Sequence, residues 1–256
     1  MKKIDEIADS IGQYFELAVV FVRKLIPLNL TVSQVKDLTQ NKEHPFWLAF
    51  NEATSLLVPK PPETQELQPE AVNALLGWKA FYKKFFGMDA DFSAIRIPAK
   101  IAGFDRLIVI AKGVSINQVY ETGKKHFGSW KWCDGDVESV MRPEERGPAK
   151  ETYAIWVRDI QEATDADEDL NSVSAAIIAE RKLDTENLLE RLIHGFKFWS
   201  EKKEHLDIKS VTLCASSRYS DDGVPRVDRG LGGDVNVCRY VVQGSDPCIR
   251  ARRAVR

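Results

Sequence analysis

Cysteine and histidine are both scarce in this chain of 256 residues, which contains four of each. No two cysteines have the CxxC spacing, so the sequence indicates neither a disulfide scaffold nor a zinc knuckle. The histidines, at positions 44, 126, 194 and 205, lack the spacing of metal ligands, and no HExxH, GxSxG or paired-acid motif stands out. We therefore expect no catalytic residue, no metal and no cofactor, and a protein that is not an enzyme.

Long hydrophobic runs are also absent. The most apolar stretch, Leu17–Leu30, contains Arg23, Lys24 and Pro27 and is too short to span a bilayer. Acidic residues follow the basic start of the chain within the first nine residues, so we expect no signal peptide. These absences predict a cytoplasmic protein without a membrane span.

A glycine-rich phosphate loop is missing as well. The run Arg106–Ala111 predicts a strand buried on both faces, and a helix capped by Ser115 is expected to follow a single glycine, Gly113. Strand, glycine and helix in this order resemble a phosphate loop, but GxGxxG and GxxxxGK do not occur. We therefore expect no nucleotide site there.

Residues 1–96 predict a helical N-terminal region. Apolar residues at steps of three and four indicate an amphipathic helix from Ile4 to Leu25, and shorter helices are expected over 31–39 and 45–57. A proline-rich connector over 58–69 precedes the helix Glu70–Phe86, whose apolar face is largely aromatic. Such a face is typical of a core or of an oligomer seam, so a homo-oligomer is one interpretation.

Residues 97–213 predict a scaffold of strands and helices. Besides Arg106–Ala111, buried strands are expected at Thr152–Val157 and Val211–Leu213. The alternation of Trp130-Lys-Trp-Cys133 indicates a short strand with both tryptophans on one face. Asp184 or Thr185 is expected to cap a further helix, in which we interpret His194 as a half-buried surface residue.

The last 43 residues, Cys214–Arg256, form a segment of distinct composition that we call the tail. The tail contains eight arginines but no lysine, and five aspartates but no glutamate. The preceding 213 residues contain twenty lysines and nineteen glutamates. The tail thus keeps charged residues, but only arginine and aspartate. Strands and turns disfavour Lys and Glu, which is one explanation. The other is a recognition surface, since planar guanidinium groups suit such surfaces better than ammonium groups do.

Alternation and turn residues predict a β-rich tail. Asp234–Val242 alternates like a strand, and Ile249–Val255 is expected to be the last strand. The positions expected to face inward in that last strand are Ile249, Ala251 and either Ala254 or Val255. Cys214, Cys238 and Cys248 are candidates to converge, but a nucleophile needs a base and the tail contains no histidine.

The order of these elements resembles a C-type lectin fold. The tail motifs Leu213–Arg218, Asp222–Pro225, Gly232-Gly233 and Ile249–Val255 resemble variable proteins of diversity-generating retroelements, which carry such a domain at the C terminus. The resemblance implies an α+β protein with a helical region over 1–96 and a lectin-like domain over 97–256. It also implies a variable region over about 214–256, and a last strand that pairs with Arg106–Ala111.

In that family the exposed residues are rewritten by reverse transcription that mutates adenines. Mutated AAC or AAT codons cannot encode Lys, Glu, Gln, Met or Trp, and the tail lacks four of these five. Gln243 is the exception, and it is either a fixed position or a mark against the resemblance.

The resemblance implies a binding surface for a protein or other macromolecular ligand, without calcium or another metal. Its fixed positions would be Val237, Pro225, Ile249 and Ala251. The residues expected to be displayed for ligand binding are Tyr219, Arg226, Asp228, Arg229, Asn236, Cys238, Tyr240 and Ser245.

Two alternatives compete with this interpretation. The first is an enzyme on the lectin-like fold of formylglycine-generating enzymes, but those use a close cysteine pair, whereas Cys238 and Cys248 are ten residues apart. The second is nucleic-acid binding by the arginines. The five interleaved aspartates leave the tail with a net charge of only +3, so we expect no nucleic-acid partner.

Overall fold

A computed structural model gives the structure of the chain and describes Thr31, residues 69–230 and residues 232–256. The helices expected before residue 69 lie outside the described residues. One compact unit, Leu67–Arg256, contains the elements that follow. In chain order they are α1 (Pro69–Phe86), β1 (Arg106–Ile110), α2 (Ile116–Phe127), β2 (Ser129–Lys131), β3 (Tyr153–Val157), α3 (Ala163–Ala166), α4 (Ala175–Glu180), α5 (Leu188–Lys202), β4 (Val211–Leu213), β5 (Val224–Arg229), β6 (Val235–Tyr240) and β7 (Ile249–Arg250). The described part is thus α+β, with most strands toward the C terminus.

Helix α1 confirms the helix expected over 70–86, but its aromatic face is intramolecular core. Phe81 and Tyr82 are buried, and Phe81 stacks edge-on against Phe196 of α5 at 5.4 Å. The buried aromatic side chains of α1 therefore pack within the protein. Helix α1 lies within residues 1–96, which were expected to form a separate helical region. It packs in the same unit as the sheets, because its apolar face is buried against them.

Strand β1 pairs antiparallel with β3, not with the last strand of the chain. The expected pairing of Arg106–Ala111 with the last strand is wrong because α1 occupies the other edge of β1. Trp78 Nε1 donates to the carbonyl of Leu107 (3.0 Å), and the Tyr82 hydroxyl donates to the carbonyl of Val109 (2.8 Å). The end of the chain reaches this sheet only as a single bridge to β3.

The tail lies mainly in a second sheet of five strands, in the order β2-β6-β5-β4-β7. Strands β5 and β6 form an antiparallel hairpin in which Arg226 is opposite Cys238 and Asp228 is opposite Asn236. Strand β2 runs parallel to β6, and β7 runs parallel to β4. The short strand expected at Trp130–Cys133 is therefore confirmed in part, and it lies beside the tail.

The two faces of this sheet are covered to different extents. Val227 and Val237 point into the main core beneath α2 and α5. On the opposite face, Leu213 and Ile249 are covered by Ile178 of α4 in a second, smaller core. Only Ile249–Arg250 of the expected last strand is a strand, and Ile249, Ala251 and Ala254 are buried as expected. The intervening Arg250 and Arg252 are buried as well, so the segment does not alternate between a buried and an exposed face. The β5–β6–β2 part of that opposite face is only half covered, and this exposes the candidate site.

Within the described ranges, none of the helices has both the length and the apolar character that crossing a bilayer requires.

Candidate functional site

The half-covered part of the large sheet is the candidate site, and we call it the open face. Side chains of opposed residues in neighbouring strands lie on the same face. The register therefore brings the side chains of the open face together. They are Arg226 and Asp228 of β5, Asn236, Cys238 and Tyr240 of β6, and Trp130 of β2.

Exposure divides these residues into one prominent side chain and several half-buried ones. Trp130 is 52% exposed, whereas the five residues from β5 and β6 are half-buried. Five of the eight expected binding residues thus share the open face, and Trp130 adds an aromatic group from outside the tail. An amphipathic aromatic ring beside Arg, Asp and Asn is a composition typical of protein-binding surfaces.

Polar contacts on the open face engage some side chains and leave one unsatisfied. Asn236 Nδ2 donates to Asp228 Oδ1 at 2.7 Å, so that carboxylate already has a partner. The guanidinium of Arg226 lies 5.6 Å from the centroid of the Tyr240 ring. Its Nε is buried without a hydrogen-bond partner among the described residues. Within the described ranges, Arg226 therefore has one buried donor without an acceptor.

Three of the expected binding residues lie away from the open face. Tyr219 is 1% exposed, and its ring packs edge-on against Trp132 at 5.3 Å. The expectation that Tyr219 is displayed is wrong, because a backbone bridge to Met141 turns it inward. The side chain of Arg229 lies on the other face of the sheet. Ser245 lies in an exposed loop, where its hydroxyl donates to the carbonyl of Ser172.

The cysteines of the tail do not converge. All are free thiols, with Cys214 in the main core and Cys238 on β6. Cys248 precedes β7, three positions away from β6 in the strand order. Burial raises the pKa of Cys238 above its ordinary value, and the hydrogen bond with Asp246 raises that of Cys248. Both groups are therefore poor nucleophiles near neutral pH. No group of three potential metal ligands occurs in the described part of the chain.

Five of the eight tail arginines, those outside β5 and β6, bind oxygens of the protein itself. Arg218, Arg250 and Arg252 do so in part-buried contacts with backbone carbonyls. A guanidinium group presents a planar fork of donors that bonds two acceptors side by side, a fixed geometry that a lysine ammonium lacks. The fold thus explains much of the preference for arginine. The contacts are Arg218 with the carbonyls of Ala215 (2.6 Å) and Ser217 (2.7 Å), Arg250 with the carbonyl of Thr164, Arg252 with the carbonyls of Ile160 (2.7 Å) and Gln161 (2.6 Å), Arg253 with Asp169, and Arg256 with both oxygens of Glu190 (2.7 and 2.9 Å).

Arg252 also belongs to a fully buried charge cluster centred on Asp207. One carboxylate oxygen of Asp207 accepts from Arg252 Nη2 at 2.7 Å, and the other accepts from Arg191 Nη2 at 2.7 Å. The hydroxyl of Thr212 donates to Asp207 and accepts from both arginines. Burial alone would raise the pKa of Asp207, but Arg252 and Arg191 outweigh it and hold the pKa well below its usual range.

Beside this cluster lies a buried acid–imidazole pair. Glu186 Oε1 and His194 Nδ1 are 2.8 Å apart, and the other oxygen of Glu186 and Nε2 of His194 have no partner among the described residues. The interpretation of His194 as a half-buried surface residue is wrong, since its side chain is fully buried. Burial raises the pKa of Glu186 to about 7, and burial together with Arg252 lowers the pKa of His194 well below its ordinary value.

Sequence reasoning missed Trp130 as a site residue and both buried clusters. The alternation at Trp130–Cys133 was a usable signal for the strand, but its parallel pairing with β6 is a long-range contact. Asp207 and Glu186 are single acids without any repeating pattern, so nothing local marks them.

We predict that Asp207→Asn lowers the free energy of unfolding by about 3–5 kcal/mol, because it leaves Arg191 and Arg252 buried without a counter-charge. Asp222→Asn is a matched control, since both aspartates have a positive φ and the Asp222–Arg142 ion pair is on the surface. Urea unfolding should show no measurable change for the control. Equal effects of the two substitutions would contradict the assigned role of Asp207.

We also predict opposite pH dependences for Glu186→Gln and His194→Gln. Near pH 5.5 the folded pair holds about one proton, on Glu186, and the unfolded pair also holds about one, on His194. In Glu186→Gln only the unfolded state takes up that proton, so stability should fall as the pH drops below about 6.5. In His194→Gln only the folded state holds it, so stability should fall as the pH rises from about 4.5 to 7.

Urea unfolding between about pH 4.5 and 7.5 measures both slopes relative to the unsubstituted protein, with a limit of about 1.4 kcal/mol per pH unit for one proton. Variants whose stabilities run parallel to that of the unsubstituted chain would contradict the single shared proton.

Comparison with protein-family models, with curated proteins and with solved structures finds no match to this chain.

Proposed function

We propose that this chain is a ligand-binding protein with a C-type lectin-like C-terminal domain, whose open face is diversified by a retroelement. In this proposal the ligand is a protein or another macromolecule, and binding involves neither catalysis nor a bound metal. The open face supplies the contacts, with Trp130, Arg226 and Tyr240 as anchors and Asp228 and Asn236 as adaptable polar neighbours.

The observation that carries the proposal is the division of the tail into two sets of residues. Arg226, Asn236, Cys238 and Tyr240, which were expected to vary, share one half-covered face. The expected fixed positions are buried: Pro225, Val237, Ile249 and Ala251. A diversified surface requires this separation, because the exposed residues must change without loss of the fold.

The competing functions receive less support from the geometry. Nucleic-acid binding needs free cations, whereas most tail arginines are engaged by carbonyl and carboxylate oxygens of the protein itself. A cysteine-based enzyme needs thiols that ionise close to a partner, whereas Cys238 and Cys248 have raised pKa values, and Cys238 lies on β6 while Cys248 lies in the turn before β7.

The proposal predicts a reverse-transcriptase gene and a near-identical template repeat next to the gene for this chain. Copies from one genome should differ at the open-face positions of the tail, through substitutions at adenines, and agree at Pro225, Val237, Ile249 and Ala251. Sequencing the neighbourhood and several copies provides the measurement. Absence of the template repeat, or Lys or Glu at the open-face positions of related copies, would overturn the proposal.

A further inference from the structure

Trp130 gives the open face a contact residue that the tail does not encode. It lies in register with Asn236, and its strand β2 forms the edge of the sheet. At 52% exposure, it is among the most exposed large apolar side chains in the described part of the protein. A tryptophan that projects from a sheet edge beside polar groups is the kind of residue that dominates binding energy in protein interfaces.

Arg226 gives the same face its unpaired charge. The Asp228 carboxylate accepts a hydrogen bond from Asn236. Arg239, whose side chain lies on the other face of the sheet, forms an ion pair with Asp221 at 2.7 Å. No carboxylate in the described ranges forms an ion pair with Arg226, and its buried Nε has no acceptor. A carboxylate from outside would meet the accessible remainder of this half-buried guanidinium, since Nε itself is buried, and hydrogen bonds to charged groups are among the stronger ones.

The register also sets the distance between these two groups. Arg226 is in β5, and β6 separates it from Trp130 in β2. Arg226 is opposite Cys238 and Trp130 is paired with Asn236, so an offset of two residues, about 7 Å, adds to two strand spacings of about 10 Å. The resulting separation of about 12 Å is covered by about three to four residues of an extended peptide. A segment that crosses these strands therefore meets the indole and the guanidinium with side chains roughly two to four residues apart.

We propose that Trp130 and Arg226 together bind an acidic protein segment, with an apolar side chain on the indole and a nearby Asp or Glu on the guanidinium. Trp130 is then the constant anchor of the face, and the residue at position 226 determines the charge of the ligand. This inference rests on the proposed function and specifies the partner of the same site.

The test is a selection of random dodecapeptides displayed on phage against the full-length chain. Selected peptides should be enriched in Asp or Glu at two to four residues from an apolar side chain. Arg226→Gln should weaken their binding at least about tenfold, as should Trp130→Ala. Selection against Arg226→Glu should favour Lys and Arg instead.

Two matched variants control for general effects. Arg239→Gln removes the same charge from an arginine that lies on the other face of the sheet and already has an ion-pair partner. Ile101→Ala truncates an apolar side chain that is 52% exposed, like Trp130, but lies outside the open face. Both should bind the selected peptides like the unsubstituted chain. Thermal unfolding of each variant shows that weakened binding does not arise from misfolding.

The outcomes separate this inference from the function beneath it. Peptides that need Trp130 but show no acidic preference and ignore Arg226→Gln would overturn the acidic ligand and leave an open-face binding protein. Peptides that bind Arg226→Gln and Trp130→Ala as tightly as the two control variants would overturn both the inference and the open face as the binding surface.

Discussion

The carboxylate of Asp207 holds together the parts of the protein that support the candidate site. It neutralises Arg191 of α5 and Arg252 of the tail where water does not reach, and it accepts from Thr212 of β4 and from the backbone of Ala163. Helix, sheet and chain end therefore meet at one buried charge. Two arginines at such a depth are tolerated only while their counter-charge and hydrogen bonds stay in place.

This arrangement gives the tail two kinds of arginine with separate roles. Arg252 and Arg250 are buried and bond to carbonyl oxygens of the 160–164 segment, so they fix the last residues against the body of the protein. Arg226 is half-buried on the open face and has an unsatisfied donor. The same residue type thus stabilises the fold at one set of positions and is available for ligands at another, which composition alone does not distinguish.

Local sequence patterns predicted most of the secondary-structure elements, but they did not predict which elements pack or pair with one another. The buried runs at Arg106–Ile110 and Tyr153–Val157, and the inward positions of the last strand, follow from hydrophobicity and alternation, which depend on short stretches of chain. The pairing of the last strand was wrong because α1 covers the free edge of β1. That cover includes hydrogen bonds from Trp78 Nε1 and the Tyr82 hydroxyl, two polar atoms in a largely apolar helix face.

The candidate site was predictable to a similar extent. Alternation placed Asn236, Cys238 and Tyr240 on one face of a strand, as the structure has them. The expectations for Tyr219 and His194 were wrong because both side chains are buried in the fold, where Tyr219 forms a bridge with Met141 and His194 pairs with Glu186, and one sequence does not reveal such contacts. Trp130 was missed for the same reason.

The central claim is that buried arginines of the tail stabilise the fold, whereas the open face is free to change. Saturation mutagenesis of residues 214–256 with selection for folded protein tests this claim most directly. At Arg218, Arg250 and Arg252 we expect strong loss of folded protein for most substitutions, lysine included. At Arg226, Asn236 and Tyr240 we expect most substitutions to be tolerated. Equal tolerance of the two sets, or intolerance concentrated on the open face, would contradict this account.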